Sequence, residues 1–519
     1  MIKSKKLLLI VPNWRWVEEE KNVNYPYPPY NLCVLAAIVR DLVDVTIIDA
    51  YVDDLSINEM TAEIKKQKPD IIGITVLMDQ LASAGHKVTE IAKSINKDII
   101  TIMGGVYVTI NSDRAISDQH LDYAFIGEAE ISFLHYIEYI LGKKDFLTKG
   151  IAYKDKDEIV HLGRSDFIEN LDEIPYPAWD LIDFDSYSKY VSREFSPDSP
   201  RDLPYVRLYT ARGCPFNCSF CQVPAIAGNK VRRHSVKRIL DELQWLKETY
   251  NIKSFMNSDD NFLAGSQTYL RELLNGMIER NLNMPWILED VGVMHLNERI
   301  LRLIAESGCQ YMGFAVETGV ERISKEIIAG KPLKKDHTKK MLKLAKELGI
   351  FCSSNFIIGF PTETWDEIRE TIHFAEELDA DYTRFHILVP LKGTKIMEIV
   401  ENDDLLNKSY DHFNETATWL SGNIESKAKE YTSEDLTILK AMEWDRVNFT
   451  NPEKRKKIAD WLRISEDHLM KRRRTTIENI QINLNKFNDR AFGCSGNTVN
   501  RFERADSALP LFERVDSAL

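Results

Sequence analysis

"TARGCPFNCSFCQ" (residues 210–222) decides how this chain reads. It places three cysteines, Cys214, Cys218 and Cys221, within eight positions, while the rest of the 519-residue chain holds only four more. It follows directly on "YVRLYTA" (205–211), whose β-branched and aromatic residues suit a strand. Steps of four and three residues let a single loop fold three thiolates around one centre. A structural zinc site wants a fourth nitrogen or sulfur ligand. The nearest histidine, His234, lies well beyond Cys221 and has no paired spacing. A redox disulfide pair would stand alone beside a thioredoxin-like pattern. A four-iron four-sulfur cluster is usually held by four ligands, so three cysteines leave one iron open.

Outward from this loop, residues 205–400 repeat a strand–helix rhythm six times. The runs 205–211, "IKSFMNS" (252–258), "PWILED" (285–290), "YMGFAVE" (311–317), "CSSNFIIG" (352–359) and "RFHILVP" (384–390) read as strands. Helical patterns such as 233–250 and 337–349 separate them. Six such units suit a partial (β/α)6 barrel with its reactive groups at the carboxyl-terminal strand ends. Upstream, residues 1–145 alternate apolar strands (6–12, 44–50, 70–76, 99–105, 123–127) with amphipathic helices (32–42, 57–67, 84–95). That is the pattern of a doubly wound, Rossmann-like α/β domain, whose ligands sit beyond the carboxyl ends of the strands. Residues 146–204, with several prolines, read as a linker that wraps between domains rather than forming core. Residues 401–519 are helical and charged, with Trp419, Trp444 and Trp461 as packing anchors and a repeated tail, "FERADSAL" and "FERVDSAL".

Composition narrows the class. Apolar residues make up 44% and charged residues 28%, a globular mixture, and the net charge is −13. Such a balance excludes general nucleic-acid binding, which needs a basic surface. The basic run "KRRRTT" (471–476) reads as a solvated helix face rather than an anionic-ligand site. No apolar run approaches the roughly 20 residues that span a bilayer, so no transmembrane segment is expected. The opening "KKLLLIVPNW" reads as a first buried strand rather than a signal peptide, and a cytoplasmic location is expected. Seven unevenly spaced cysteines make no disulfide framework. Cys33, Cys309 and Cys352 read as small buried hydrophobes.

Cys-x3-Cys-x2-Cys with Phe220 before the last cysteine, placed after the first strand of a six-fold β/α domain, resembles the signature of the radical S-adenosylmethionine (SAM) superfamily. The resemblance implies a [4Fe-4S] cluster held by Cys214, Cys218 and Cys221, whose open iron chelates SAM. It also implies reductive cleavage of SAM to a 5′-deoxyadenosyl radical that abstracts hydrogen. Further family-like segments fall at the other strand ends. "SDDNF" (258–262) offers Asp259, Asp260 or Asn261 to the methionine amino group. "AVETG" (315–319) offers Glu317, "GFPTET" (359–364) offers Gly359 and Glu363, and "VPLKGT" (389–394) offers Pro390 near the adenine. Strand-end acids and glycines also serve as plain turn residues.

The order of "YPPYNLCVLAAIVRD" (27–41), "VTIIDAY" (45–51), "DIIGITV" (70–76), "MGGVYVT" (103–109) and "DYAFIGEAE" (122–130) resembles the cobalamin-binding domain of one branch of that superfamily. Expected contacts are Thr75, Val76, Leu77, Gly104, Gly105, Gly127 and Glu128. The Asp-x-His-x-x-Gly motif that gives cobalt a histidine is absent: Asp118-Gln119-His120 begins it, but Tyr123 stands at the glycine place. The resemblance implies a methyltransferase that acts on an unactivated carbon, or less often on phosphorus. It would use the cluster, two molecules of SAM, cobalamin and an electron donor such as flavodoxin or ferredoxin. The rivals are a cofactor-sharing oxidative cyclase without net methylation, and an iron–sulfur sensor without SAM cleavage. The substrate, whether small molecule, lipid or peptide, is not written in the sequence.

Overall fold

Residues 5–16, 27–156, 158–191, 197–406, 424–471 and 473–474 are described by a computed structural model. Five apolar runs form the parallel strands β1 (Lys6–Val11), β2 (Asp44–Asp49), β3 (Ile71–Thr75), β4 (Ile100–Gly104) and β5 (Tyr123–Phe125), ordered β2-β1-β3-β4-β5. The pleat of β1 splits its leucine-rich run between two cores. Leu8 and Ile10 pack with Met60, Ile64 and Val88 on one face. Leu7 and Leu9 pack with Leu32, Ala36 and Phe133 on the other. A strand buried on both faces has no polar side to alternate with, so it reads as a continuous apolar run.

The stretch read as a wrapping linker differs from that expectation. β6 (Ile151–Asp155) and β7 (Glu158–His161) extend the first sheet antiparallel beyond β5, giving it seven strands. The prolines begin only at Pro175, so nothing in 146–162 removes a ladder donor. Beyond the hairpin, Leu171, Ile174 and the fully buried Trp179 join Tyr30 and Cys33 in the core of the second sheet. The segment is therefore part of the packing.

The second sheet is a six-stranded parallel one. Its strands are β8 (Tyr205–Leu208), then, after the short pair β9 (Ala211–Arg212) and β10 (Arg232–Arg233), β11 (Ser254–Asn257), β12 (Trp286–Val291), β13 (Cys309–Glu317), β14 (Phe351–Ile358) and β15 (Tyr382–Ile387). They stand in the order β15-β14-β13-β12-β11-β8, each followed by a helical segment. Outward positions are apolar and share one core with the helices: Val206, Leu208, Leu288, Met312, Phe314, Phe356, Phe385 and Ile387. Intervening positions, which the pleat turns to the interior, are polar: Arg207, Glu289, Ser353, Asn355, Arg384 and His386.

A six-stranded sheet of this kind leaves an open edge at β15. The helix Ser433–Phe449 covers it by a strand-like device: Asn448 Oδ1 accepts from Thr383 N (2.8 Å) and Asn448 Nδ2 donates to Thr383 O (2.8 Å). Trp444 Nε1 donates to Tyr382 OH at 2.8 Å. From the helix Pro452–Leu462, Trp461 stacks on Phe351, with centroids 4.4 Å apart, and donates to Pro197 O at 2.7 Å. Both tryptophans serve as anchors; Trp419, Cys494 and the repeated tail lie outside the described residues. Cys33, Cys309 and Cys352 are buried free thiols, as their apolar settings suggest. The residues to Arg463 form one compact unit, and those from Ile464 a second whose described part includes a helical run at 466–471.

Replacing Asn448 with Ala leaves the Thr383 N–H and C=O without partners in a buried edge. The expected loss is about 1–3 kcal/mol per unsatisfied group, read as a lower urea midpoint at unchanged slope.

Candidate active site

The cysteine loop is fixed from several sides. Gly213 N donates to Asp260 Oδ2 (2.7 Å), and Asp259 Oδ1 accepts from Ala211 N (2.9 Å) while its other oxygen takes the Thr210 hydroxyl. Cys214 N donates to Gly228 O, Ser219 N to Ile328 O and Ile396 N to Ser219 O. Gly330 lies so close to Cys218 that a Cβ there would stand 2.6 Å from the sulfur. Cys214 and Cys218 are buried and Cys221 is half-buried. Val223 N donates to Cys221 Sγ at 3.5 Å and Asn261 Nδ2 to Cys214 Sγ at 3.8 Å. Burial pushes the Cys218 thiol up to about 12 and that of Cys221 upward. Such thiols are poor free nucleophiles, and metal coordination is what would deprotonate them. Among the described residues, no three His, Cys, Asp or Glu side chains are arranged to hold one metal ion.

The expected SAM contacts divide sharply. Asp259 and Asp260 both spend their carboxylates on the backbone of the cysteine loop. Asn261 is different: its Oδ1 is buried and unpartnered. Glu317, in a left-handed backbone conformation (φ 69°), receives the Lys331 ammonium at 2.7 Å. Phe220 packs edge-on against Phe360, with Phe216 and Cys218 in the same apolar cluster. Pro390 is buried beyond β15. Glu363 caps its own turn: Oε2 accepts from Gly359 N (2.7 Å) and Phe360 N (3.1 Å), while Oε1 is buried and unpartnered. Leu436 of the helix Ser433–Phe449 lies against Gly359, where a Cβ would approach it to 2.7 Å. Orphaned polar atoms on Asn261 and Glu363, beyond the carboxyl ends of the strands, and on Ser219 of the cysteine loop are the complement that a polar cofactor such as SAM would satisfy.

The first sheet holds a cavity of about 220 Å³ at the carboxyl ends of β3, β4 and β5. Thr75, Gly104, Gly105, Gly127 and Glu128 line it, together with Tyr30, Asn31 and Gly73. Val76 and Leu77 do not: Val76 turns its carbonyl to Gly105 and Leu77 is 42% exposed. Gly105 has φ +106°, and a Cβ would meet Val76 O at 2.3 Å, so only glycine fits there. Asn31 Nδ2 donates to Thr75 Oγ1 at 2.7 Å. Glycines on this floor suit a broad planar ring. Among the described residues no histidine lines the cavity; Asp118 is used by His86, Thr89 and the His120 backbone. The residues present fit a corrin, which Thr75, Gly104, Gly105 and Gly127 would hold.

Sequence reasoning missed what joins the two regions. Arg212, two residues before Cys214, also lines this cavity and pairs with Glu130 and, at 3.5 Å, Glu128. Glu128 is held more closely by Arg232, at 2.6 and 2.9 Å, and accepts from Ile168 N. The guanidinium partner is only 2% exposed and the Glu128 side chain 8%. Lys331 was missed as well, since nothing in its local sequence separates it from surface lysines.

Arg232→Leu leaves a buried carboxylate short of its closest cation and should cost about 3–5 kcal/mol in urea unfolding. The double variant with Glu128→Gln should recover part of that loss. Burial pushes the Glu363 carboxyl up to about 8 against two backbone donors. The stability it contributes is therefore complete below the ordinary glutamate value and lost as pH rises toward about 8. Glu363→Gln should flatten that part of the stability–pH curve, measured on protein without SAM.

Comparison with known proteins agrees with this geometry. The profile of the Radical SAM superfamily matches residues 208–375 and that of the B12 binding domain residues 21–137. An uncharacterized methyltransferase of Pyrococcus horikoshii is 31% identical over 84% of this chain and 91% of its own length. The cytidylyl-2-hydroxyethylphosphonate methyltransferase of Streptomyces wedmorensis is 29% identical over 66% of this chain and 68% of its own. An anaerobic magnesium-protoporphyrin IX monomethyl ester cyclase of Rubrivivax gelatinosus is 26% identical over 74% and 68%. Among solved structures, the cobalamin-dependent SAM radical enzyme OxsB shares the fold with TM-score 0.69 at 17% identity, covering 94% of this chain and 75% of that one. The chain thus belongs to the cobalamin-binding branch of the radical SAM superfamily, as an enzyme of its methyltransferase-like group that uses a [4Fe-4S] cluster, SAM and cobalamin.

Proposed function

We propose that the chain methylates an unactivated carbon, or less often phosphorus, of a substrate seated in the barrel interior. The observation that carries this reading is the position of Arg212, which lines the first-sheet cavity and enters the cysteine loop two residues later. One residue thereby ties the methyl-carrier pocket to the cluster loop.

Cys214, Cys218 and Cys221 would hold the cluster. Asn261, Glu317 and the Gly359–Glu363 turn would meet SAM, and Thr75, Gly104, Gly105 and Gly127 the corrin. When bound, these groups supply a hydrogen-abstracting carbon radical and a transferable methyl group. The protein's own work is positioning and exclusion of water. Phe216, Phe220 and Phe360 cover the loop with apolar surface, and Phe216 stacks on His295 at 5.3 Å. Lys331 pairs with Glu317 at 2.7 Å and orients it beside the loop. A flavodoxin- or ferredoxin-type donor would supply electrons. The described residues contain no helix long and apolar enough to cross a membrane.

The cyclase relative favours a second reading, ring formation without net methylation. Anaerobically reconstituted protein given SAM, cobalamin, reductant and candidate acceptors separates the two. Methylation should yield S-adenosylhomocysteine and 5′-deoxyadenosine with a methylated product. Deoxyadenosine beside an unmethylated, oxidised product would favour the cyclase, and no SAM cleavage would overturn both. Cys→Ala at 214, 218 and 221 together should abolish every product.

A further inference from the structure

The interior of the second sheet carries more charge than a structural core tolerates. Arg207 stands on β8, Glu289 and Asp290 on β12, and Arg384 and His386 on β15. Arg384 pairs with Asp198 at 2.7 Å, and Arg207 faces Glu289 at 3.7 Å. These four side chains point to the interior of the sheet and are 18–23% accessible. Arg207 also lies over the Tyr27 ring at 3.9 Å, and Asp290 accepts from Asn355.

Two basic side chains at the open edge, Lys440 and His386, are left over. The helix Ser433–Phe449 runs antiparallel to β15, with Leu436 against Gly359 at the carboxyl end of the barrel and Asn448 against Thr383 near the other. Lys440, one turn after Leu436, therefore stands level with His386 and acts on it electrostatically. Both are half-buried. Among the described residues neither has a hydrogen-bond or ion-pair partner. Burial pushes Lys440 down to about 8 with no carboxylate opposing it. Burial, with Arg384 and Lys440 nearby, pushes His386 down to about 3. An ammonium desolvated without a counterion is costly unless a ligand completes it.

We infer that Lys440 and His386 form a subsite for an anionic oxygen group of the substrate, a carboxylate or a phosphate-type group, at the seam between β15 and the helix that covers it. Lys440 supplies the charge and His386, neutral, a single N–H donor. Arg384 and Arg207, already matched by Asp198 and Glu289, contribute field rather than direct contact. The subsite rests on reading the interior as the reaction chamber, and it narrows the substrate to molecules with an anionic end rather than neutral lipids.

The test is calorimetric titration of the full-length, cluster-loaded protein with inorganic phosphate, with acetate and with neutral ethylene glycol. Phosphate or acetate should bind saturably and glycol should not, and the better anion identifies which group the substrate bears. Lys440→Met should weaken that binding at least about tenfold, the loss expected of one charge-assisted hydrogen bond. Lys440→Arg should keep it, and His386→Gln, which retains an N–H donor, should change it less than Lys440→Met. Far-UV circular dichroism and the visible absorption of the cluster establish that each variant is folded. Absence of saturable anion binding to the wild type, or equal affinity in folded Lys440→Met, overturns the subsite. Lys440-dependent anion binding in protein that fails to cleave SAM would support the subsite while sinking the proposed reaction.

Discussion

The buried ion pairs of Glu128 and Glu130 with Arg232 and Arg212 are the constraint on which the rest depends. Glu128 lies in the turn after β5 and Glu130 begins the helix that follows it, and the two cations belong to the short ladder β9–β10 at the root of the cysteine loop. Four charges removed from water must remain in register, because separating them exposes each to an uncompensated desolvation cost. Rigid attachment of one sheet to the other follows. A corrin lying on the glycine floor of the first sheet would thereby stand at a set distance from the loop of Cys214, Cys218 and Cys221.

The strand-end carboxylates work one layer further out than their positions suggest. Asp259 and Asp260 hold backbone amides of the loop, and Glu363 holds those of its own turn. Each secures a segment that itself faces the chamber, so the acids act through the chain rather than at the chemistry. What remains open at the strand ends is a set of amide and carboxyl oxygens without partners. Interiors rarely keep such atoms dry, and a polar cofactor is the economical way to satisfy them.

Six strands cannot close a barrel, and this protein turns the shortfall to use. Asn448 substitutes for a seventh strand at Thr383, and Trp444 and Trp461 lock the covering helices in place. Asp198 pairs with Arg384 of β15, and Lys440 of the covering helix stands level with His386 on the same strand. A closed barrel would have filled that space with apolar layers. The open edge leaves the sheet's polar interior to be completed by the C-terminal helices.

How much of this could be read beforehand follows from the range of each interaction. The strands, their parallel order and the cysteine loop were legible because apolar runs, turn residues and Cys-x3-Cys-x2-Cys are local patterns. The hairpin at 151–161 is hidden in the sequence because the prolines that follow from Pro175 give the whole segment the look of a linker. Arg384 and His386 did carry a signal: "YTRFHI" alternates polar with apolar, unlike the runs in the first sheet. The sequence by itself determined two α/β sheets and a loop of three thiols able to leave one iron open. Only the tertiary structure decided which acids buttress that loop, which arginines bind the sheets together and that half-buried Lys440 has no ion-pair partner among the described residues. Those outcomes depend on side chains tens to hundreds of residues apart meeting in a low-dielectric interior, where pairing, not spacing, determines the energy.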